Sequence, residues 1–162
     1  MELTATPSPP PLMRARPVLA HLAAGALLLL ALAAGVGPLL LLPGTYALFC
    51  LLAFVPAGWF ALTRLDLHRG RDWGHANRVT LLRSLLLALV GGALPFAHDL
   101  GAGPAWVLAV IAVTALLLDG VDGWLARRQG LSSPYGARFD MEMDSDAILY
   151  LCLLLWLSGE VG

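Results

Sequence analysis

Lysine is missing from this chain of 162 residues: all ten of its basic side chains are arginine. Charge of either sign is scarce as well, at 13% of residues against 59% hydrophobic, with a mean hydropathy of +0.78. So few charges cannot cover a water-exposed surface, which excludes an ordinary soluble domain. The net charge of −1 leaves no basic surface for nucleic acid, so none is expected as a partner. Two cysteines, Cys50 and Cys152, each in an apolar run, exclude a disulfide framework or a thiolate metal site and leave small hydrophobic packing. No glycine-rich phosphate loop is evident. What remains is an all-α protein, a polytopic transmembrane helical bundle of about five spans.

Met1 to Arg16 is rich in Pro, Thr and Ser and lacks an apolar period, so residues 1–16 read as a flexible cytoplasmic tail. A crossing needs about 20 apolar residues at 1.5 Å rise each. Pro17 to Gly37 is long enough, and Pro38 breaks it. This segment also has the charged start and small residues of a secretory signal peptide, an alternative reading. Further apolar runs go from Tyr46 to Leu62, Val79 to Phe96, Ala105 onward, and Gly136 to Leu157. Residues 17–64 thus hold two helices, 65–78 a basic cytoplasmic link, and 77–162 three more. Gly25, Gly35 and Gly37 are expected to serve packing in the first helix.

The arginines set the orientation, because cytoplasmic loops collect positive charge. Arg14 and Arg16 precede the first span; Arg64, Arg69, Arg71 and Arg78 lie between the second and third, with Arg83 one turn into the third; Arg127, Arg128 and Arg138 flank the link between the fourth and fifth. The loops on the other side have none. A cytoplasmic amino terminus follows, and Trp59, Trp73, Trp106, Trp124 and Trp156 fall near span ends, where an interfacial belt places them. His68 and His75 have no ligand partner at suitable spacing and read as solvated loop residues.

Acids stand where such a chain should avoid them. The run Asp119-x-x-Asp122-Gly123-x-x-Ala126-Arg127 is followed, after eight residues, by Gly136-x-x-x-Asp140-x-x-x-Asp144. A charge at the centre of a membrane helix costs roughly 3 kcal/mol even on lenient scales, so these residues need a cavity, a partner or an ion. On a helix, Asp119, Asp122, Gly123 and Ala126 share one face, as do Gly136, Asp140 and Asp144. The short link containing Gly130 and Pro134 should fold the fifth helix back beside the fourth, with the acidic faces opposed. All-oxygen ligands favour Mg²⁺ or Mn²⁺, and two ions would neutralise the cluster. Gly123, Ala126 and Gly136 leave room for close approach, and Arg127 suits phosphate. The set points to a diphosphate bound through divalent ions. Glu142 and Asp146 lie off this face and read as interfacial charges; Arg138 reads as a positive-inside anchor.

This spacing resembles the signature of the CDP-alcohol phosphatidyltransferases, integral membrane enzymes that move a phospho-alcohol group from a CDP-linked donor to a hydroxyl acceptor and release CMP. The segment Asn77-Arg78-Val79-Thr80-Leu81-Leu82-Arg83 is similar to the opening of that family's first helix, so the likeness covers Asn77 to Leu157. The resemblance implies that Asp119, Asp122 and Asp140 hold a metal pair, with Asp144 beside them as the general base. It also implies that Gly123, Ala126 and Arg127 line the CDP site, with Asn77 and Thr80 as additions. CDP-diacylglycerol or another CDP-alcohol would be the donor, membrane lipid the surroundings, and a bacterial cytoplasmic (inner) membrane the location, with the active site facing the cytoplasm. A homodimer is usual in the family. Its domain usually has six helices with the motif on the second and third, so residues 77–162 are expected to supply the N-terminal half. The acceptor alcohol is left open. Two alternatives stand beside this reading: a divalent-cation channel or carrier, which explains the acids but not Gly123, Ala126, Arg127 and Gly136, and a non-catalytic or truncated relative.

Overall fold

The computed structural model describes residues 11–63, 75–129 and 134–159, with side chains described over 15–63, 77–120 and 137–159. Among these residues are five long helices: α1 (Pro11–Leu39), α2 (Tyr46–Thr63), α3 (His75–Gly92), α4 (Ala102–Gln129) and α5 (Pro134–Leu157). A short 3-10 helix, Leu94–Asp99, carries the chain from α3 to α4 and has Pro95 in its first turn, where a missing N–H does no harm. No strand occurs among the described residues. The boundaries differ from the sequence expectation mainly at helix starts. Helix α1 begins at Pro11, inside the stretch read as a tail, and α3 begins at His75, so Asn77 and Arg78 belong to a helix rather than to the link.

Among the described residues, three stretches are long and apolar enough to cross a membrane: Ala15–Leu39, Tyr46–Thr63 and Ala102–Gly120. Helix α3 tolerates a lower hydropathy because it is enclosed: it packs against each of the other four long helices. Its polar side chains Asn77, Thr80, Arg83 and Ser84 are all buried, facing protein instead of lipid. The outward faces carry exposed Leu27, Leu52, Val110, Leu117, Ile148 and Leu155, an apolar exterior far too extensive for a water-soluble monomer. Trp59, Trp106 and Trp156 are exposed near helix ends, as an interfacial belt requires. The protein is an integral membrane protein.

Helix α1 is a packed element of the bundle, burying Val18, Leu29, Ala33 and Leu40 in the core. It stops one residue after Pro38, in a turn where the Leu42 N–H donates to the Gly37 carbonyl and the Leu41 N–H to the Pro38 carbonyl. This is the pairing of a Schellman cap, with Leu41 at φ 57° in the left-handed position that usually takes glycine.

The tightest approach is between α2 and α3. A Cβ added to Gly92 would lie 2.8 Å from the Cys50 backbone nitrogen, and one on Gly91 would lie 2.9 Å from the Ala53 Cβ. Glycine is therefore a steric requirement here. The glycines of α1 behave differently. A methyl group added at Gly25 or Gly37 would meet its neighbours at ordinary contact distance, and nothing lies within 4 Å at Gly35, so the packing role expected of Gly35 is absent. Two tyrosines fasten the same region. Tyr46 Oη donates to the Leu89 carbonyl at 2.8 Å, and Tyr150 Oη donates to the Ala53 carbonyl at 2.7 Å. Leu89 lies in the last turn of α3, and the Ala93 N–H that would continue the ladder bonds to Val90 instead. Tyr46 thus satisfies a carbonyl that the helix end leaves over.

Candidate metal and diphosphate site

Helix α5 presents two adjacent stripes, and the difference between them builds the site. Phe139, Met143, Ala147 and Tyr150 recur at helical spacing and are buried in the bundle. Phe139 stacks on Phe60 of α2, with ring centroids 5.8 Å apart and planes within 5° of parallel. Tyr150 reaches the α2 backbone two turns beyond Met143. These two attachments set the rotation of α5 about its axis. The neighbouring stripe, Asp140 and Asp144, is thereby aimed at α3.

What meets it is Arg83, whose side chain is 2% exposed. Its Nη1 donates to Asp119 of α4, while its Nη2 lies 2.9 Å from Asp140 Oδ1 and 3.0 Å from Asp144 Oδ1. Nη2 also donates to the Asp140 backbone carbonyl at 3.2 Å. One guanidinium, with its planar fork of donors, therefore ties together carboxylates from two helices. An arginine alone at this depth would be strongly unfavourable, and three acids without a cation would repel one another in a low dielectric. Each makes the other tolerable.

The three acids supply one oxygen each within 4.8 Å of one another. Asp119 and Asp140 are half-buried, and Asp144 is the most open at 52%. Three carboxylates against one guanidinium leave two negative charges in excess. Asp140 Oδ1 is buried and, despite its ion pair with Arg83, accepts no hydrogen bond of good geometry. An all-oxygen set with surplus negative charge and an unsatisfied lone pair fits a hard divalent cation, and the residues present therefore suit Mg²⁺ or Mn²⁺.

Of the residues expected in the site, Asp119, Asp140 and Asp144 converge. Asn77 and Thr80 are buried on α3, two turns and one turn before Arg83. Asp122, Gly123, Ala126 and Arg127 continue α4 towards its end, and Gly136 lies in the first turn of α5; these five fall outside the residues whose side chains are described. One expectation gains a residue. The acids of α4 and α5 come together as expected, but among the described residues both helices pack mainly on α3. The acids meet across Arg83. The sequence singled out Arg83 as a positive charge one turn into its helix and as part of the Asn77 to Arg83 segment, but gave it no place in the site. The signal was available, since a lone arginine within a span calls for acidic partners.

Residues 73–162 match the family model described as CDP-alcohol phosphatidyltransferase, more than half of the chain. The chain belongs to that family. The matched region holds α3, α4 and α5, hence every acid of the cluster and Arg83, while α1 and α2 precede it. Neither the curated proteins nor the solved structures that were compared provide a match. Family membership assigns the domain to transfer of a phospho-alcohol group from a CDP-alcohol, in a family that uses divalent metal ions.

Proposed function

We propose that this CDP-alcohol phosphatidyltransferase is a phospholipid-biosynthesis enzyme that transfers a phosphatidyl group from CDP-diacylglycerol to a hydroxyl acceptor and releases CMP. The observation that carries the reading is the convergence of Asp119, Asp140 and Asp144 on one point, within the region matched to the family. Asp119, Asp122, Asp140 and Asp144 are the carboxylates that would hold Mg²⁺ or Mn²⁺, two ions in all. Bound there, such ions would supply positive charge to the diphosphate and to the departing CMP.

The chain's own residues do the rest. Gly123, Ala126 and Gly136 leave room for the nucleotide, Arg127 offers fixed positive charge to phosphate, and Asn77 and Thr80 add polar groups from α3. Asp144, the most exposed of the three acids, accepts the proton of the acceptor hydroxyl. The hydroxyl oxygen forms the new bond to the phosphorus of the phosphatidyl group, and the bond from that phosphorus to the bridging oxygen of CMP breaks. A donor with its acyl chains in lipid and its nucleotide in water reaches such a site from the cytoplasmic half of the membrane.

The test is CMP release from CDP-diacylglycerol by the purified chain in lipid nanodiscs, with Mg²⁺ or Mn²⁺ and a panel of alcohol acceptors. Release that one acceptor stimulates, and that Asp144→Asn and Asp122→Asn both abolish, is the expected result. An absence of CMP release with every acceptor and ion would overturn the enzyme reading.

A further inference from the structure

Arg83 takes no part in the chemistry above, yet it lies at the centre of the acids. Its Nη2 stands 2.9 and 3.0 Å from the carboxylate oxygens of Asp140 and Asp144, and its Nη1 bonds to Asp119. These are the residues whose oxygens lie close enough together for a shared ion. An ion of the Mg²⁺ class bonds oxygen at about 2.1 Å, and the lone pairs it uses are the ones the guanidinium now faces. The same oxygens cannot fully serve both cations. Helices α4 and α5, moreover, pack on α3 and scarcely touch each other among the described residues, so Arg83 of α3 is the side chain that ties their carboxylates directly to one another.

We infer that Arg83 is the resident counter-ion of the metal-free protein. It holds the carboxylates of α4 and α5 at ligand separation and gives up carboxylate contacts when a divalent ion binds, so guanidinium and ion compete. This rests on the metal reading of the site. Arg83 is on this view a positioning residue with an unusual signature: removing it destabilises the metal-free protein and strengthens metal binding.

The experiment uses the full chain in nanodiscs, with Mn²⁺ as the probe. Mn²⁺ affinity is read by electron paramagnetic resonance, and thermal midpoints are read in EDTA and in Mn²⁺, for wild type, Arg83→Met, Arg83→Lys and Asp140→Asn. Expected are binding by wild type that Asp140→Asn weakens, and binding by Arg83→Met tighter on the order of tenfold or more, because a fixed positive charge has left. The EDTA midpoint of Arg83→Met falls below that of wild type, and Mn²⁺ raises it by more. Arg83→Lys keeps the charge but loses the fork, so it lowers the EDTA midpoint without tightening Mn²⁺ binding. Wild type that binds Mn²⁺ while Arg83→Met binds no more tightly would overturn the competition alone. Wild type that does not bind Mn²⁺ overturns the metal reading and this inference with it. Should Arg83→Met fail to fold, Arg83→Lys decides: an EDTA midpoint equal to that of wild type sinks the proposal.

Discussion

The last turn of α3 and its midpoint solve the problem of packing helices in lipid by opposite means. At the Gly92 end, α2 approaches until glycine is the largest residue that fits, and the polar contacts are neutral ones from Tyr46 and Tyr150 to backbone carbonyls. At Arg83, in the middle of the helix, the neighbours are held by a buried charge and its three acids. The first arrangement gains from dispersion and close fit, and has one geometry. The second is a balance of large opposing electrostatic terms, which a ligand of the right charge can tip. A membrane enzyme needs both, one region that stays and one that binds.

The largest effect that separates the two regions concerns activity. Asp144→Asn should lower CMP release by about 100-fold or more, as loss of a general base does, while the thermal midpoint stays near that of wild type. A variant that loses activity only in proportion to folded protein would erase the distinction. Next is Gly92→Val, which forces side-chain atoms against the Cys50 backbone. It should destabilise the fold by about 3 kcal/mol, measured by denaturant titration in micelles, and the protein that remains folded should keep its specific activity. Unaltered stability would mean that the close approach of α2 and α3 is not a constraint. The smallest is Tyr46→Phe, which leaves the Leu89 carbonyl without its hydroxyl donor. A loss of about 1 kcal/mol is expected in the same titration, with unchanged Mn²⁺ affinity. Altered metal affinity would show that the two regions are coupled along α3.

Much of this was legible in the residues. The apolar runs mark the helices because a bilayer imposes a length and a composition on anything that crosses it. Asp119, Asp140 and Asp144 stood out because acids at helical spacing in apolar sequence are too costly to be there without a partner or an ion. The starts of α1 and α3 were less legible: Pro11 and His75 stand in polar stretches, where composition resembles a loop although the backbone continues as helix. Gly91 and Gly92, which are sterically required, look no different in sequence from Gly35, which is not, since a glycine's neighbours in the chain do not tell what lies across from it.

By itself, then, the sequence determined the class of the protein, the helices, the family and three of the acids that converge, all properties of local spacing and of the solvent the chain must satisfy. Only the tertiary structure decided that α4 and α5 both pack on α3, that the acids meet on Arg83, and that α2, which precedes the family region, sets the rotation of α5 through Phe60 and Ala53. The physical reason is that periodicity tells which face of a helix is polar, whereas the neighbour that this face meets depends on contacts between residues dozens of positions apart in the chain.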